Sequence, residues 1–329
     1  MLRRIYLWLT LVALSTGFAQ RDVFAINETL ARTMNFGNSM ETRVEGSGGV
    51  YLREDDFDVL KDAGFTAVRL PVKFSAHASK TAPFTIRERI FKRVDWAVEQ
   101  ALQRDMSIII DLHHFDAIMR VPEDSLEMFL GMWAQIAERY QDAPDTVLFE
   151  MLNEPNNDIT PFWNDYLAQA LAVIRETNPE RAVIVGPTGW NNIEDLATLE
   201  LPEDPNLIVT FHNYAPFEFT HQGASWVAGS GDWLGTTWSG SDEEKTQLRA
   251  LFDTATDWAA ERNKPLFMGE FGAYSAADLD SRALWTTFVR QEAESRGISW
   301  AYWEYAAGFG AYNRGKKTWN PELLSALIE

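Results

Sequence analysis

Eight short apolar runs, separated by stretches of helical periodicity, constrain this chain more than any other feature. They are Thr33–Gly37, Ala67–Leu70, Ser107–Leu112, Val147–Leu152, Ala182–Val185, Leu207–Phe211, Leu266–Gly269 and Ser299–Tyr302. Each has the length and apolar character of a strand buried on both faces. Between them the spacing predicts helices over Glu54–Ala63, Ile86–Arg104, Ser125–Tyr140, Pro161–Glu176, Glu243–Arg262 and Ala277–Arg296. In the second of these, Ile90, Val94, Ala97, Val98 and Ala101 fall on one face. Gly64 and Gly297 follow two of the patterns, where a left-handed cap is wanted. This alternation predicts an α/β fold, and eight repeats in 329 residues predict a single-domain (β/α)8 TIM barrel. A doubly wound open sheet is the competing architecture. The strand number and the lack of a Gly-rich phosphate loop weigh against it.

Arg3 and Arg4, an apolar stretch from Ile5 to Leu14 and the small-x-small step Gly17-Phe18-Ala19 form the pattern of a secretory signal peptide over 1–19. The apolar stretch is too short to span a membrane. Residues 20–30 read as a mobile lead-in and 31–329 as the barrel domain that carries the chemistry. The expected destination is secreted or periplasmic. Export permits disulfides, yet the chain has no cysteine, so stability must come from the core. The formal net charge of −19 argues against nucleic acid or an anionic membrane as partner, both of which need a basic face. It is compatible with a neutral polymer as substrate and with a monomer in solution.

Active sites of such barrels lie at the C-terminal ends of the strands. Read in order, those ends offer Arg69; His113 and His114; Asn153 and Glu154; His212 and Tyr214; Glu270; and Trp303. Two strand-end carboxyls suggest an acid/base and a nucleophile for cleaving a glycosidic bond. A nucleophile must stay ionised, and Arg69 and Tyr214 are candidates to hold it so. An acid must keep its proton near a relay, for which His212 is the candidate. Asn153 could bond a sugar 2-hydroxyl, and Trp303 offers a flat apolar face to a sugar ring. His113 and His114 beside Asp111 and Asp116 raise the alternative of a metal. Adjacent strand residues point to opposite faces, however, so no metal site and no cofactor is expected.

Asn153-Glu154-Pro155 at the fourth strand, His212-x-Tyr214 at the sixth and Gly269-Glu270-Phe271-Gly272 at the seventh resemble glycoside hydrolase family 5, the cellulase family. Asn35–Glu41 is similar to the family's first-strand segment, Val68-Arg69-Leu70-Pro71 to its second and Asp111-Leu112-His113-His114 to its third. The resemblance runs from about Asn35 to Tyr312. It implies Glu154 as acid/base and Glu270 as nucleophile. It further implies Arg69, His113, His114, Asn153, His212, Tyr214 and Trp303 as their surroundings, with Asn38 and Glu41 at the substrate. The stretch Pro216–Trp226 and Tyr302-Trp303-Glu304-Tyr305 look most like the endoglucanase branches, where His221 and Trp226 would line the glycone side. The implied activity is a retaining endo-β-1,4-glucanase acting on β-glucan polysaccharide or oligosaccharide. β-Mannanase, xyloglucanase and β-1,3-glucan hydrolase activities remain open within the family, as does a non-catalytic polysaccharide-binding barrel.

Overall fold

The computed structural model describes residues 22–329, so the signal segment read over 1–19 lies outside the described residues. Eight parallel strands close a barrel in chain order. They are β1 (Arg32–Asn35), β2 (Ala67–Val72), β3 (Ser107–Leu112), β4 (Val147–Glu150), β5 (Val183–Val185), β6 (Leu207–Asn213), β7 (Leu266–Phe271) and β8 (Ser299–Tyr302). Closure is made where β8 pairs with β1, Met34 opposite Tyr302. Each expected strand is present. β4 ends at Glu150 rather than Leu152, so Asn153 and Glu154 lie just past its last paired residue. Two backbone bonds hold that extension in line, Met151 N–H to the Ile184 carbonyl and Asn153 N–H to the Leu112 carbonyl.

Alternation along the strands sorts the barrel into layers. Ala67, Ile109, Leu148, Ile184, Ile208, Phe267 and Ala301 point inward and form an apolar floor. The residues between them, such as Val68, Leu70, Ile108, Ile110 and Phe149, pack against the helices. Two steps above the floor the interior turns polar: Arg69 follows Ala67, Asp111 follows Ile109 and Glu150 follows Leu148. All three are fully buried.

Residues 23–28 are not the expected lead-in. They form a helix whose Val23 and Ile26, with Leu30 just past its end, complete the floor cluster. Asn27 clamps it: its Nδ2 donates to the Leu266 carbonyl (3.0 Å) and its carbonyl accepts from Ser299 Oγ (2.7 Å). The segment is too short for its periodicity to stand out, and its apolar residues are covered only once the barrel exists.

The outer helices follow the sequence reading closely, with Glu54–Ala63 ending on left-handed Gly64 (φ 97°). No regular helix links β5 to β6; a turn and the 3-10 segment Ile193–Thr198 take its place. A helix after β8, Pro321–Ile328, was not foreseen. Three buried indoles tie helices to the ends of the strands at the C-terminal mouth. Trp133 Nε1 donates to the Met151 carbonyl, Trp163 Nε1 to that of Gly186 and Trp285 Nε1 to that of Ala215. These tryptophans are core residues that brace the mouth rather than sugar platforms.

Removing the Asn27 clamp strips the Leu266 carbonyl of its buried donor, which costs about 1–2 kcal/mol. Asn27→Ala is therefore expected to lower the Tm by several degrees while leaving kcat at 25 °C intact, because the floor lies opposite the mouth. Thermal unfolding and steady-state kinetics on one preparation check both halves.

Candidate active site

Arg69 lies at the centre of the polar layer with its whole side chain buried. Nε and one Nη grip Glu150 in the two-pronged manner a planar guanidinium favours (2.6 and 2.8 Å). The same Nη reaches Asn153 Oδ1 (2.6 Å) and Asp111 (3.1 Å). The other donates to Asn35 Oδ1 and to Glu270 Oε1, both at 2.9 Å. An arginine cannot shed its charge here, so the carboxylates around it are what make its burial tolerable.

Glu270 receives Arg69 on Oε1 and the Tyr214 hydroxyl on Oε2 (2.8 Å). It points inward only because of an irregularity in β7. Met268 pairs with Phe211 and Glu270 with His212, leaving Gly269 as an extra residue between the two registers. Phe267 faces the floor and Met268 the helices, so regular alternation would send Glu270 outward. The bulge reverses it. Gly269 is required for space: a Cβ there would lie 2.7 Å from Thr210 Oγ1 and 3.1 Å from His212 Nε2. Its carbonyl is pinned by Asn35 Nδ2 (3.0 Å).

Glu154 stands opposite and is the more open of the two, its side chain 26% exposed against 6% for Glu270. His212 Nδ1 lies 2.8 Å from Glu154 Oε1 and 3.7 Å from Glu270 Oε2. Facing atoms of Glu154, His212 and Glu270 all fall within 4.8 Å of one another. Burial pushes both carboxyls up to about 7, against the pull of Arg69 on each and of His212 on Glu270. Carboxyls this close titrate as a pair, the charge on one opposing the charge on the other. Glu270, with donors on both oxygens, is the one that ionises first. Burial also pushes His212 down to about 4, so its ring is neutral at working pH.

Around this pair, His113 is buried, with Nδ1 on Asp111 Oδ2 (2.5 Å) and its ring stacked parallel to Trp303 (5.5 Å). The Trp303 ring lies over Gly37, where a Cβ would come within 3.0 Å of it. His114 is exposed and meets His113 edge-on. Asn38 Nδ2 donates to buried Glu304, and its backbone N–H donates to Glu41, whose carboxyl burial pushes up to about 7.

Two residues expected on the glycone side differ from each other. Trp226 is exposed, edge-on to Tyr274. His221 is buried, stacked on Phe217 and edge-on to Tyr214, so it braces that tyrosine. After β2 and β5, Phe74 is wholly buried and Trp190 is exposed. Sequence reasoning missed Glu150 as a site residue and weighed Asp111 only as a metal ligand, although both share inward parity with Leu148 and Ile109. It also missed Asn191, which contacts His212.

Among the described residues, Glu154, His212 and Glu270 are the acidic and histidine side chains close enough to share an ion. Of the set suspected from sequence, Asp116 is bonded to Lys73 (2.7 Å) and Asp111 to His113 (2.5 Å). In the convergent trio, His212 Nδ1 and both Glu270 oxygens already have hydrogen-bond partners. That is an arrangement for moving a proton between a donor and a nucleophile.

The cellulase model of glycosyl hydrolase family 5 matches residues 30–308. The chain belongs to glycoside hydrolase family 5. Endoglucanase H of Acetivibrio thermocellus is 36% identical over 315 residues, which are 93% of this chain and 34% of that protein. Endoglucanase 3 of Fibrobacter succinogenes is 26% identical over 87% of this chain and 51% of its own length. The chain thus spans about a third to a half of the length of these two curated relatives. Cel5A of Thermotoga maritima superposes with a TM-score of 0.92 at 46% identity, over 94% of this chain and 100% of that one.

Adding a side chain at the bulge should disable the family 5 site without unfolding the barrel. Gly269→Ala is expected to lower kcat on the order of 10²-fold, as a misplacement near 1 Å does, with the circular dichroism spectrum retained. An unchanged kcat would remove the bulge from the argument.

Proposed function

We propose that this chain is a retaining endo-β-1,4-glucanase, with Glu270 as nucleophile and Glu154 as acid/base. The observation that carries the reading is the pair of inward carboxyls, in unequal surroundings, whose facing oxygens lie within 4.8 Å. That separation suits direct attack, since inverting enzymes keep their carboxyls about 6.5–9.5 Å apart to admit a water. The glucan preference is supported by relatives named endoglucanases and by the T. maritima Cel5A structure bound to cellobiose.

In the first step a Glu270 oxygen forms a bond to the anomeric carbon. The glycosidic bond breaks, its electron pair stays on the leaving oxygen, and that oxygen takes the proton of Glu154. In the second step water attacks the anomeric carbon, gives a proton to Glu154 and expels the Glu270 carboxylate. Two inversions leave the β configuration unchanged. Arg69 and Tyr214 hold Glu270 ionised and aimed. Trp303 and His113 supply a flat wall for the ring bound by the nucleophile, and Asn153 faces the 2-hydroxyl. No metal or cofactor is called on.

Mannan is a second reading of the substrate, favoured by the T. maritima Cel5A structure in complex with mannotriose at 46% identity. Trp226 would stack on either polymer, because a flat ring is largely indifferent to the orientation of one hydroxyl. Export of the enzyme is supported by the N-terminal sequence pattern. Among the described residues no helix is long and apolar enough to cross a membrane.

Glu270→Gln is expected to abolish turnover on every substrate. Glu154→Ala should spare glycosides with good leaving groups and regain activity with azide. Proton NMR of the first product should show the β anomer; an α anomer appearing first sinks the double displacement.

The pH dependence follows from the shared proton. Activity needs Glu270 ionised and Glu154 protonated, so kcat/KM should rise as the pair loses its first proton. It should fall as pH passes through about 7, where Glu154 loses the second. A profile flat from pH 5 to 9 would contradict this.

A further inference from the structure

Asn191 is fully buried, yet it sits in a connection where a polar side chain has no need to be inside. It ends a run of three left-handed residues: Gly189 (φ 67°), Trp190 (φ 61°) and Asn191 (φ 58°). Asparagine tolerates this region and tryptophan does so only at a cost, which only a fixed geometry repays. The turn sends Trp190 out to solvent and Asn191 in. Space for Asn191 is kept by Gly186, where a Cβ would collide with Asn191 Oδ1.

The amide has an unequal set of partners. Nδ2 donates to the Asn153 carbonyl and faces His212 Nε2 at 3.4 Å, whereas Oδ1 has no hydrogen-bond partner among the described residues. The first contact decides which end of the amide is which, since only the nitrogen can face a carbonyl. Its second N–H is then aimed at His212 Nε2, which must accept. A neutral imidazole that accepts at Nε2 carries its proton on Nδ1. Nδ1 is the atom 2.8 Å from Glu154 Oε1.

We propose that Asn191 is a positioning residue that fixes the tautomer of His212 and so decides which oxygen of Glu154 carries the acid proton. With Nδ1–H donating to Oε1, that oxygen is kept as an acceptor and the proton is left on Oε2, free for the leaving group. In the opposite tautomer the bare Nδ1 would draw the proton onto Oε1, away from the substrate. The inference deepens the proposed function and rests on Glu154 as the acid. The other charged or titratable groups around His212 are Glu270 from β7, Arg69 from β2, Glu150 from β4 and His113 after β3. None of them offers a hydrogen bond to Nε2 in place of the amide.

Asn191→Asp keeps the shape and replaces the donor by an acceptor. Nitrogen-15 NMR of histidine-labelled wild type is expected to show His212 protonated at Nδ1, and Asn191→Asp to show it protonated at Nε2. On aryl β-glucosides, kcat/KM of Asn191→Asp should fall with a poor leaving group on the order of 10-fold or more beyond its fall with a dinitrophenolate. The alkaline limb of its pH profile should also move. Asn191→Ser, which retains a donor, should recover part of the difference. Wild-type His212 found protonated at Nε2 overturns the inference without any variant, as does an equal fall on both leaving groups. Failure of the underlying reading looks different: Glu154→Ala would then lose activity equally on both leaving groups while the wild-type tautomer stayed at Nδ1.

Discussion

The guanidinium of Arg69 is the charge on which the mouth of the barrel is built. It bonds Glu150 on β4, Asn35 on β1, Glu270 on β7 and Asn153 just past β4, and it pairs with Asp111 on β3. Its planar fork ties four strands other than its own into one arrangement. Removing any partner would leave a buried charge short of compensation, typically a strongly destabilising change. The imbalance also runs the other way. One fixed cation faces Asp111, Glu150, Glu154 and Glu270, and burial holds Asp111, Glu154 and Glu270 up to about 7. A site that cannot afford all its negative charges keeps a proton, and a retained proton is what an acid catalyst supplies.

Electrostatics alone does not orient Glu270. Its direction comes from one extra residue in β7, tolerated because that residue is glycine and its carbonyl has a donor in Asn35. Backbone register and side-chain charge therefore meet at the same place. Arg69 can reach Glu270 only if the bulge has turned it inward, and the turned-in carboxyl is tolerable only because Arg69 is there.

Much of this could be read from residue order. Continuous apolar runs gave all eight strands, since strands covered on both faces show no alternation to confuse the pattern. Strand-end chemistry put Arg69, His113, Asn153, Glu154, His212, Tyr214, Glu270 and Trp303 in one neighbourhood, and the structure brings them together. Glu150 escaped, and Asp111 was weighed only as a metal ligand, because a charged residue inside an apolar run looks like an interruption; counting parity from Ile109 and Leu148 would have aimed both inward. The bulge has no signature beyond a glycine, and glycines also mark turns. Asn191 was illegible for a different reason: its position depends on three successive left-handed residues, one of them tryptophan, which propensity does not anticipate. His221 fits the expected loop but serves as a buried brace, because Phe217 and Tyr214 close around its ring.

The floor helix Val23–Glu28 has a consequence for how the chain acquires its shape. Asn27 is joined to Leu266 and Ser299, partners 239 and 272 residues further along. Contacts of that span are slow to form, because the long intervening loop must first be closed. A ribosome releases the helix early, and the strands that receive it emerge almost last. During that interval Val23, Ile26 and Leu30 have no apolar floor to rest on. A fragment carrying only the first half of the barrel could not seat them, so the plug is a test of completeness: it locks only in a chain synthesised through its eighth strand.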